Sequence, residues 1–410
     1  MHNTHQPVPG WLFVLPWSLR HIGGVNQVVK SLIIQFREGG VFTPHLLTGS
    51  EESLPSGTAE QELIEPFRLD LWSPVDHKHP FRALISFAYR LPYRCWALHR
   101  IIRQHNIAII NPHFPDLESL VFVVLKKLRL FRGKVILSFH LSDVQHSLST
   151  KGLERKLWRV LLRGTDHIVV VSDDLAKDVL TLDSAVAEKM TTIYNGVDLT
   201  LFRRDGGESR SRFPVPSEGR TILSIGAFLP RKAHDVLLRA FGRALCAVPD
   251  AHLVLVGGDG PEIEPLRQLI NLLGLSEKVV ICKDVPHERI PSFMFQAQVF
   301  ALASRKEGHP LAIIEAGAAC LPVVCTRTSG AHELISDRVT GRLVDFGDEH
   351  ALSEALIDLL THPEEAQRLA TNFHEYVKNN LTWGHTYERY SRLGGKGRNR
   401  DISMSESAMK

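Results

Sequence analysis

Apolar residues fall along the chain in two alternating rhythms. Short runs rich in Val, Ile, Leu and Phe are apolar at successive positions, and longer stretches between them are apolar only every third or fourth residue. The short runs predict strands over 11–15, 44–47, 108–111, 135–140, 167–172 and 191–194. A second series is predicted over 221–225, 253–257, 279–283, 299–304 and 322–326. The intervening pattern predicts helices, among them 25–37, 153–163 and 233–247. Strands apolar on both faces and separated by helices belong to a mostly parallel sheet covered on both sides. The fold class is therefore α/β.

The rhythm stops between Phe202 and Arg220, where RRDGGESRSRFPVPSEGR has no periodicity and is rich in Gly, Ser, Pro and Arg. Such a stretch reads as a linker. It divides the chain into a first α/β domain (1–205), a linker (206–219) and a second α/β domain (220–393), whose last helix can return onto the first. The final residues, 394–410, offer nothing apolar to bury and are expected to be a disordered tail. Ligands of doubly wound sheets bind beyond the carboxyl ends of the strands, so chemistry is sought just after each strand.

Composition narrows the class without changing the picture. A length of 410 residues accommodates two domains, and 44% hydrophobic with 23% charged residues excludes a disordered or fibrous chain. Five cysteines at irregular spacing, with no CxxC pair, argue against a disulfide framework or a zinc site and for thiols in a reducing compartment. The N-terminus lacks a basic segment and resembles a first strand more than a signal peptide. No apolar run is long enough for a transmembrane helix. The expected location is cytoplasmic.

Charge changes it more. The net charge is only +3, yet residues 77–163 hold 16 basic against four acidic side chains, while the chain from Gly206 onward is nearly neutral. Residues 81–104 (FRALISFAYRLPYRCWALHRIIRQ) contain five arginines, no acid and several aromatics, and 126–134 (KKLRLFRGK) repeats that character. Residues 81–134 therefore read either as solvated basic faces or as a contact with an anionic membrane surface, at the inner face of the plasma membrane. Pro92 predicts a break here, which argues against one long amphipathic anchor. No nucleic-acid-binding module is recognisable.

Candidate chemistry concentrates in SRKEGHPLAIIEAGAACLPVV, residues 304–324. A strand ends at Ser304, a polar loop follows, and a helix is predicted from near Pro310. The amides of Leu311 and Ala312 would be free donors for a phosphate. Glu307 in the loop and Glu315 about one and a half turns into the helix could accept hydroxyls from the two ends of one ligand. Arg231 and Lys232 are adjacent basic residues on a loop after another strand and could meet an anionic group. Gly23 and Gly24 open a helix after the first strand, where glycine allows positive φ and close backbone approach. His140 ends a strand, His113 follows one, and GGDGP (257–261) reads as a structural turn. No Ser–His–Asp trio, His-Glu-x-x-His motif, Cys–His cluster or dinucleotide fingerprint is evident, so neither metal nor cofactor is expected.

EGHPLAIIE (307–315) resembles the Glu–seven residues–Glu motif of retaining GT-B glycosyltransferases, specifically glycosyltransferase family 4. SIGAFLPRKAHDVLLRAF, LVLVGGDGPE, IYNGVD (193–198) and GGV (23–25) resemble further family segments in order and spacing. The resemblance spans roughly residues 10–390. It implies two Rossmann-like doubly wound domains facing each other across a cleft, the first presenting an acceptor and the second binding a nucleotide sugar. It implies that Gly23, Gly24, Gly226, His309, Pro310, Leu311, Ala312 and Glu315 contact the donor. His140, Glu307, Arg231 and Lys232 would carry catalysis, with His113 and Asp143 on the acceptor side. Three positions depart from the pattern: Ala227 stands at a family Arg, Leu141 at a glycine in the His-Gly-x-Asp element, and Asp284 at a glycine where the base is read. The implied activity is transfer of a hexose from a UDP- or GDP-sugar to a saccharide or lipid-linked saccharide in cell-surface polysaccharide or glycolipid synthesis. The same resemblance admits a phosphorylase or nucleotide-sugar epimerase on this fold, or a nucleotide-sugar-binding protein without turnover.

Overall fold

A computed structural model describes residues 8–19, 23–49, 63–75, 80–203 and 219–395. The linker therefore falls almost entirely outside the described residues, as does the tail beyond residue 395. The first sheet contains β1 (Gly10–Leu15), β2 (Thr43–Thr48), β3 (Phe67–Arg68), β4 (Ile107–Pro112), β5 (Lys134–Phe139), β6 (His167–Val170) and β7 (Met190–Thr192). All its pairings are parallel, in the order β3-β2-β1-β4-β5-β6-β7. Its connecting helices are α1 (Gly24–Gly39), α2 (Pro80–Gln104), α3 (Leu120–Lys127), α4 (Ser142–Ser149), α5 (Gly152–Gly164) and α6 (Asp173–Leu182). Leu12 and Val14 of β1 enter the core on one face of the sheet, and Trp11, Phe13 and Leu15 enter the core on the other. That is why the run is apolar at every position.

The second sheet is also parallel. It contains β8 (Arg220–Ile225), β9 (Ala251–Gly257), β10 (Val279–Lys283), β11 (Val299–Leu302), β12 (Val323–Thr326) and β13 (Arg342–Val344), in the order β10-β9-β8-β11-β12-β13. Its helices are α7 (His234–Ala244), α8 (Ile263–Leu272), α9 (Ile290–Gln296), α10 (Leu311–Ala318), α11 (Ser329–His332), α12 (Glu349–Thr361) and α13 (Pro363–Asn380). A last helix, α14 (Trp383–Leu393), crosses back to the first domain. Its Trp383 and Tyr390 join the core with Trp11, Phe36 and Phe42, and Lys134 Nζ donates to Leu393 O at 2.7 Å.

Two expectations change. The short edge strands β3 and β13 lack an apolar run long enough to be read from sequence. The break expected at Pro92 does not occur, and α2 is one 25-residue helix. Pro92 lies on the exposed face, where water can take the Ala88 carbonyl that proline leaves unbonded. Phe87, Leu98 and Ile102 anchor the opposite face in the core on both sides of it.

Candidate active site

Glu307 lies at the centre of a buried charge cluster. β11 carries the chain to Ser304, whose hydroxyl donates to Glu307 Oε1 at 2.6 Å. Lys232 Nζ donates to the same oxygen at 2.6 Å, and Arg231 Nη1 stands 3.5 Å from Oε2. Burial opposes ionisation of this carboxyl, but the Lys232 and Arg231 charges outweigh it and hold Glu307 below its ordinary range. The local backbone makes the pairing possible. A Cβ on Gly226 would stand 3.2 Å from the Lys232 stem, so glycine leaves the lysine its path across the end of β8. Arg305 N donates to Arg231 O at 2.8 Å and ties the two loops together. Arg231 thus turns toward the site, although Ala227 cannot supply a charge. Gly257 and Gly260 pack against the 226–228 backbone, in keeping with a structural turn.

Pro310 is the N-cap of α10, one position before the helix begins at Leu311. The N–H groups of Ile313 and Ile314 turn back to Pro310 O, and those of Leu311 and Ala312 have no acceptor within the helix. Glu315 is buried, and its Oε1 lies 2.7 Å from His287 Nε2. Burial disfavours the charged imidazole, but Glu315 outweighs it and raises the His287 pKa.

Across the domain junction a chain of buried hydrogen bonds ends at His140. Asn111 Nδ2 donates to Ile136 O at 2.8 Å and to Ser138 Oγ at 2.9 Å, while Trp11 Nε1 donates to Asn111 Oδ1 at 3.3 Å. Reversing the amide would set donor against donor at Trp11 and acceptor against acceptor at Ile136, so its orientation is fixed. Oδ1 therefore accepts from His113 Nε2 at 3.1 Å. Burial, then the neighbouring His140, holds the His113 pKa well below its ordinary value, so its Nδ1 keeps a lone pair. His140 Nε2, 3.1 Å away, must donate to it. The remaining His140 nitrogen, Nδ1, is then an acceptor. Burial lowers the His140 pKa to about 4, which keeps the ring neutral.

Asp143 takes a different place from the one expected. Its carboxylate accepts from the amides of His140, Leu141 and Val144 and is buried, so it shapes the loop that presents His140 instead of facing an acceptor. Leu141, at the family glycine, sends its side chain into the core. Gly23 differs too. Its φ of 175° is ordinary extended backbone, so the glycine provides open space there and not a left-handed turn.

The two domains meet at these groups. A Cβ on Gly308 would lie 2.0 Å from His140 O, a separation only glycine allows. Asn195 Nδ2 donates to His309 O at 3.0 Å, and the Tyr194 ring stacks on His309 at 4.9 Å. Leu311 stands 3.8 Å from the Cβ position of Gly24. Both ring nitrogens of His309 are buried without a hydrogen-bond partner, and burial lowers its pKa to about 3. Asp174, His332 and Glu333 bring potential metal-ligand atoms together, but both Glu333 oxygens accept amides, from Asp173 N at 3.0 Å and Asp174 N at 3.1 Å. They join the second domain to the start of α6.

Sequence reading missed Asn111, Trp11, Ser138, Tyr390, His287 and His234. Asn111 carried a signal, a polar side chain inside a buried apolar strand. His234, the first residue of α7, is buried with both ring nitrogens unpartnered beside Lys232 and Glu307. Nothing in its sequence context distinguished it among 21 histidines.

Comparison with known proteins bears on this arrangement. Residues 22–201 match the family model described as Glycosyltransferase Family 4, and residues 206–376 match the one described as Glycosyl transferases group 1. A GDP-mannose-dependent alpha-(1-6)-phosphatidylinositol monomannoside mannosyltransferase of Mycolicibacterium smegmatis is 33% identical over 198 residues, 46% of this chain and 51% of that protein. The match thus spans about half of that relative's length. N-acetyl-alpha-D-glucosaminyl L-malate synthase of Bacillus anthracis is 25% identical over 317 residues, 76% of this chain and 82% of that one. Among solved structures, sucrose-phosphate synthase from Thermosynechococcus elongatus superposes with a TM-score of 0.75 at 20% identity, covering 94% of this chain and 98% of that one. Anabaena HepE in complex with UDP and glucose superposes with a TM-score of 0.72 at 18% identity, covering 94% and 99%. At these identities the structural likeness establishes the two-domain fold.

Proposed function

The chain belongs to the family 4 type of GT-B glycosyltransferases, and from that premise we propose that it is a retaining hexosyltransferase. It moves a hexose from a UDP- or GDP-sugar to a saccharide or lipid-linked saccharide in cell-surface polysaccharide or glycolipid assembly. The first domain, 1–205, takes the acceptor, and the second, 220–393, takes the nucleotide sugar. The observation that carries this reading is Glu307, buried between two cations and joined through Gly308 to the loop of His140. A carboxylate so held is a fixed acceptor for sugar hydroxyls, with positive charge beside it for a diphosphate. A GDP-mannose-dependent relative and a neighbour holding UDP and glucose support a nucleotide diphosphate hexose as donor.

In this reading the bond between C1 of the sugar and the diphosphate breaks, and its electron pair leaves on the phosphate oxygen. Arg231, Lys232 and the amides of Leu311 and Ala312 meet that charge. Gly23, Gly24 and Gly226 leave space for the phosphates, and His309 and Pro310 line the same loop. Glu315 accepts from the ribose. His140 positions the sugar through Nδ1, and His113 holds His140 from the acceptor side. The acceptor hydroxyl attacks C1 on the face the leaving oxygen quits, and its proton passes to that oxygen. No metal enters the step, because these cations and amides face the diphosphate; a chelator should leave turnover unchanged. The basic surface over 81–134 turns the acceptor side toward an anionic membrane.

The test is a panel of UDP- and GDP-hexoses, screened by thermal shift and followed by NMR of the product's anomeric proton. Transfer with unchanged anomeric configuration is expected. Inverted configuration, or nucleotide binding with neither transfer nor donor hydrolysis, would overturn the reading.

A further inference from the structure

We infer that the exposed face of α2 is a membrane-docking surface that seats the acceptor side of the cleft on anionic lipid by inserting Phe81, Ile85, Tyr89, Tyr93 and Trp96. These five side chains are 82%, 69%, 84%, 64% and 58% exposed. At 100° per residue they share an arc of about 120°, an exposed apolar stripe in which Tyr93 and Trp96 lie against each other and the Arg100 guanidinium lies over Trp96. A soluble monomer rarely leaves so large an apolar face uncovered.

Charge identifies what covers it. Arg82, Arg100 and Arg103 fall within the same arc, and α2 contains no acidic residue. Aromatic rings that sit at the depth of lipid headgroups, flanked by guanidinium groups at phosphate level, suit an interfacial helix. A two-fold pairing of the same face would press these arginines against their own copies. Among the described residues no helix is long and apolar enough to cross a membrane, so the contact lies in the interface.

Position connects the surface to the cleft. α2 turns directly into β4, so its last residues lie at the amino edge of the sheet. At 1.5 Å per residue the helix runs about 37 Å against about 20 Å for β4, and its first turns rise past the carboxyl ends of the strands. Arg90 marks the level, with its guanidinium 4.0 Å over the ring of Trp72 in the loop beyond β3. The stripe thus begins on the side of the molecule where His113 and His140 follow their strands.

The inference rests on the reading of a lipid-linked acceptor, but it is measured without turnover, so the two fail separately. The full chain is floated with vesicles of phosphatidylcholine alone and of phosphatidylcholine mixed with phosphatidylglycerol. Binding to the mixed vesicles only, weakened by salt and reduced at least roughly tenfold by Ile85→Glu with Tyr89→Glu, is expected. Both residues are exposed, so the variant should keep its circular dichroism and melting temperature. Absence of flotation or equal binding to neutral vesicles overturns the inference. So does sedimentation showing a dimer that the same substitutions dissociate.

Discussion

His113 Nδ1 stands 3.1 Å from His140 Nε2, with the two rings stacked at 5.3 Å. Because Asn111 fixes the proton on His113 Nε2, this contact fixes the proton on His140 Nε2 and leaves Nδ1 as the acceptor. The ¹⁵N shifts of labelled His140 should report that tautomer in the unliganded protein. Asn111→Leu should mix the tautomers and lower kcat about tenfold to a hundredfold while the donor KM changes little. The reverse tautomer in the wild-type protein would remove the argument.

The buried imidazoles also set the acid limit of stability. Burial lowers His140 and His234 to about 4 and His309 to about 3, and it lowers His113 as well. An unfolded chain protonates such rings near pH 6.5. Their contribution is complete above that value and is lost as pH falls toward about 4. Asp143 and Glu118 act in the opposite sense, since burial raises them to about 6 and about 8 and the native state takes up their protons first. Burial raises Glu333 as well, but it also lowers His45, His167 and His252, so the lowered imidazoles outnumber the raised carboxyls and acidification leaves a net loss. Calorimetry should show Tm falling steadily from about pH 7 to about pH 5; a constant or rising Tm would contradict it.

Lys232 and Glu307 should show strong coupling. Removing the lysine leaves the buried carboxylate with Arg231 as its remaining cation and one hydrogen bond fewer, so Lys232→Met should destabilise the fold by about 1–3 kcal/mol. The pair of changes Lys232→Met with Glu307→Gln removes both charges and should cost less than the single one. Urea unfolding of the two variants decides, and equal or greater loss in the double variant would show that the pair is not the source. Neither variant should turn over.

How much of this was legible in sequence depends on the kind of contact. Runs such as 11–15 announce themselves because both faces of β1 are buried, so the α/β class and both strand series could be read. Glu307 and Lys232 could be singled out because a motif carries each. Their pairing could not, since it depends on how the 226–232 and 304–310 loops fold over one another. Asn111, Ser138 and Tyr390 come from two strands and a helix far apart in sequence, and only the packed sheet joins them. Pro92 misled because proline's effect on a helix depends on which face it occupies.

The two domains are also joined at the start of α6. Glu333 of the second domain accepts two amides there, and Lys306 Nζ, also of the second domain, donates to Asp178 Oδ2 of α6 at 2.9 Å. A carboxylate on free amides at a helix N-terminus is favoured by the helix dipole, and hydrogen bonds to a charged group contribute about 1.5–3 kcal/mol. Glu333→Ala should remove that contribution and leave the sheet cores untouched. The expected result is a larger radius of gyration by small-angle scattering and a roughly tenfold lower kcat, since closure excludes water and aligns the two halves of the site. Glu333→Gln keeps one oxygen acceptor and should fall between. If Glu333→Ala scatters like the wild-type protein and turns over at the same rate, the contact does not hold the domains together.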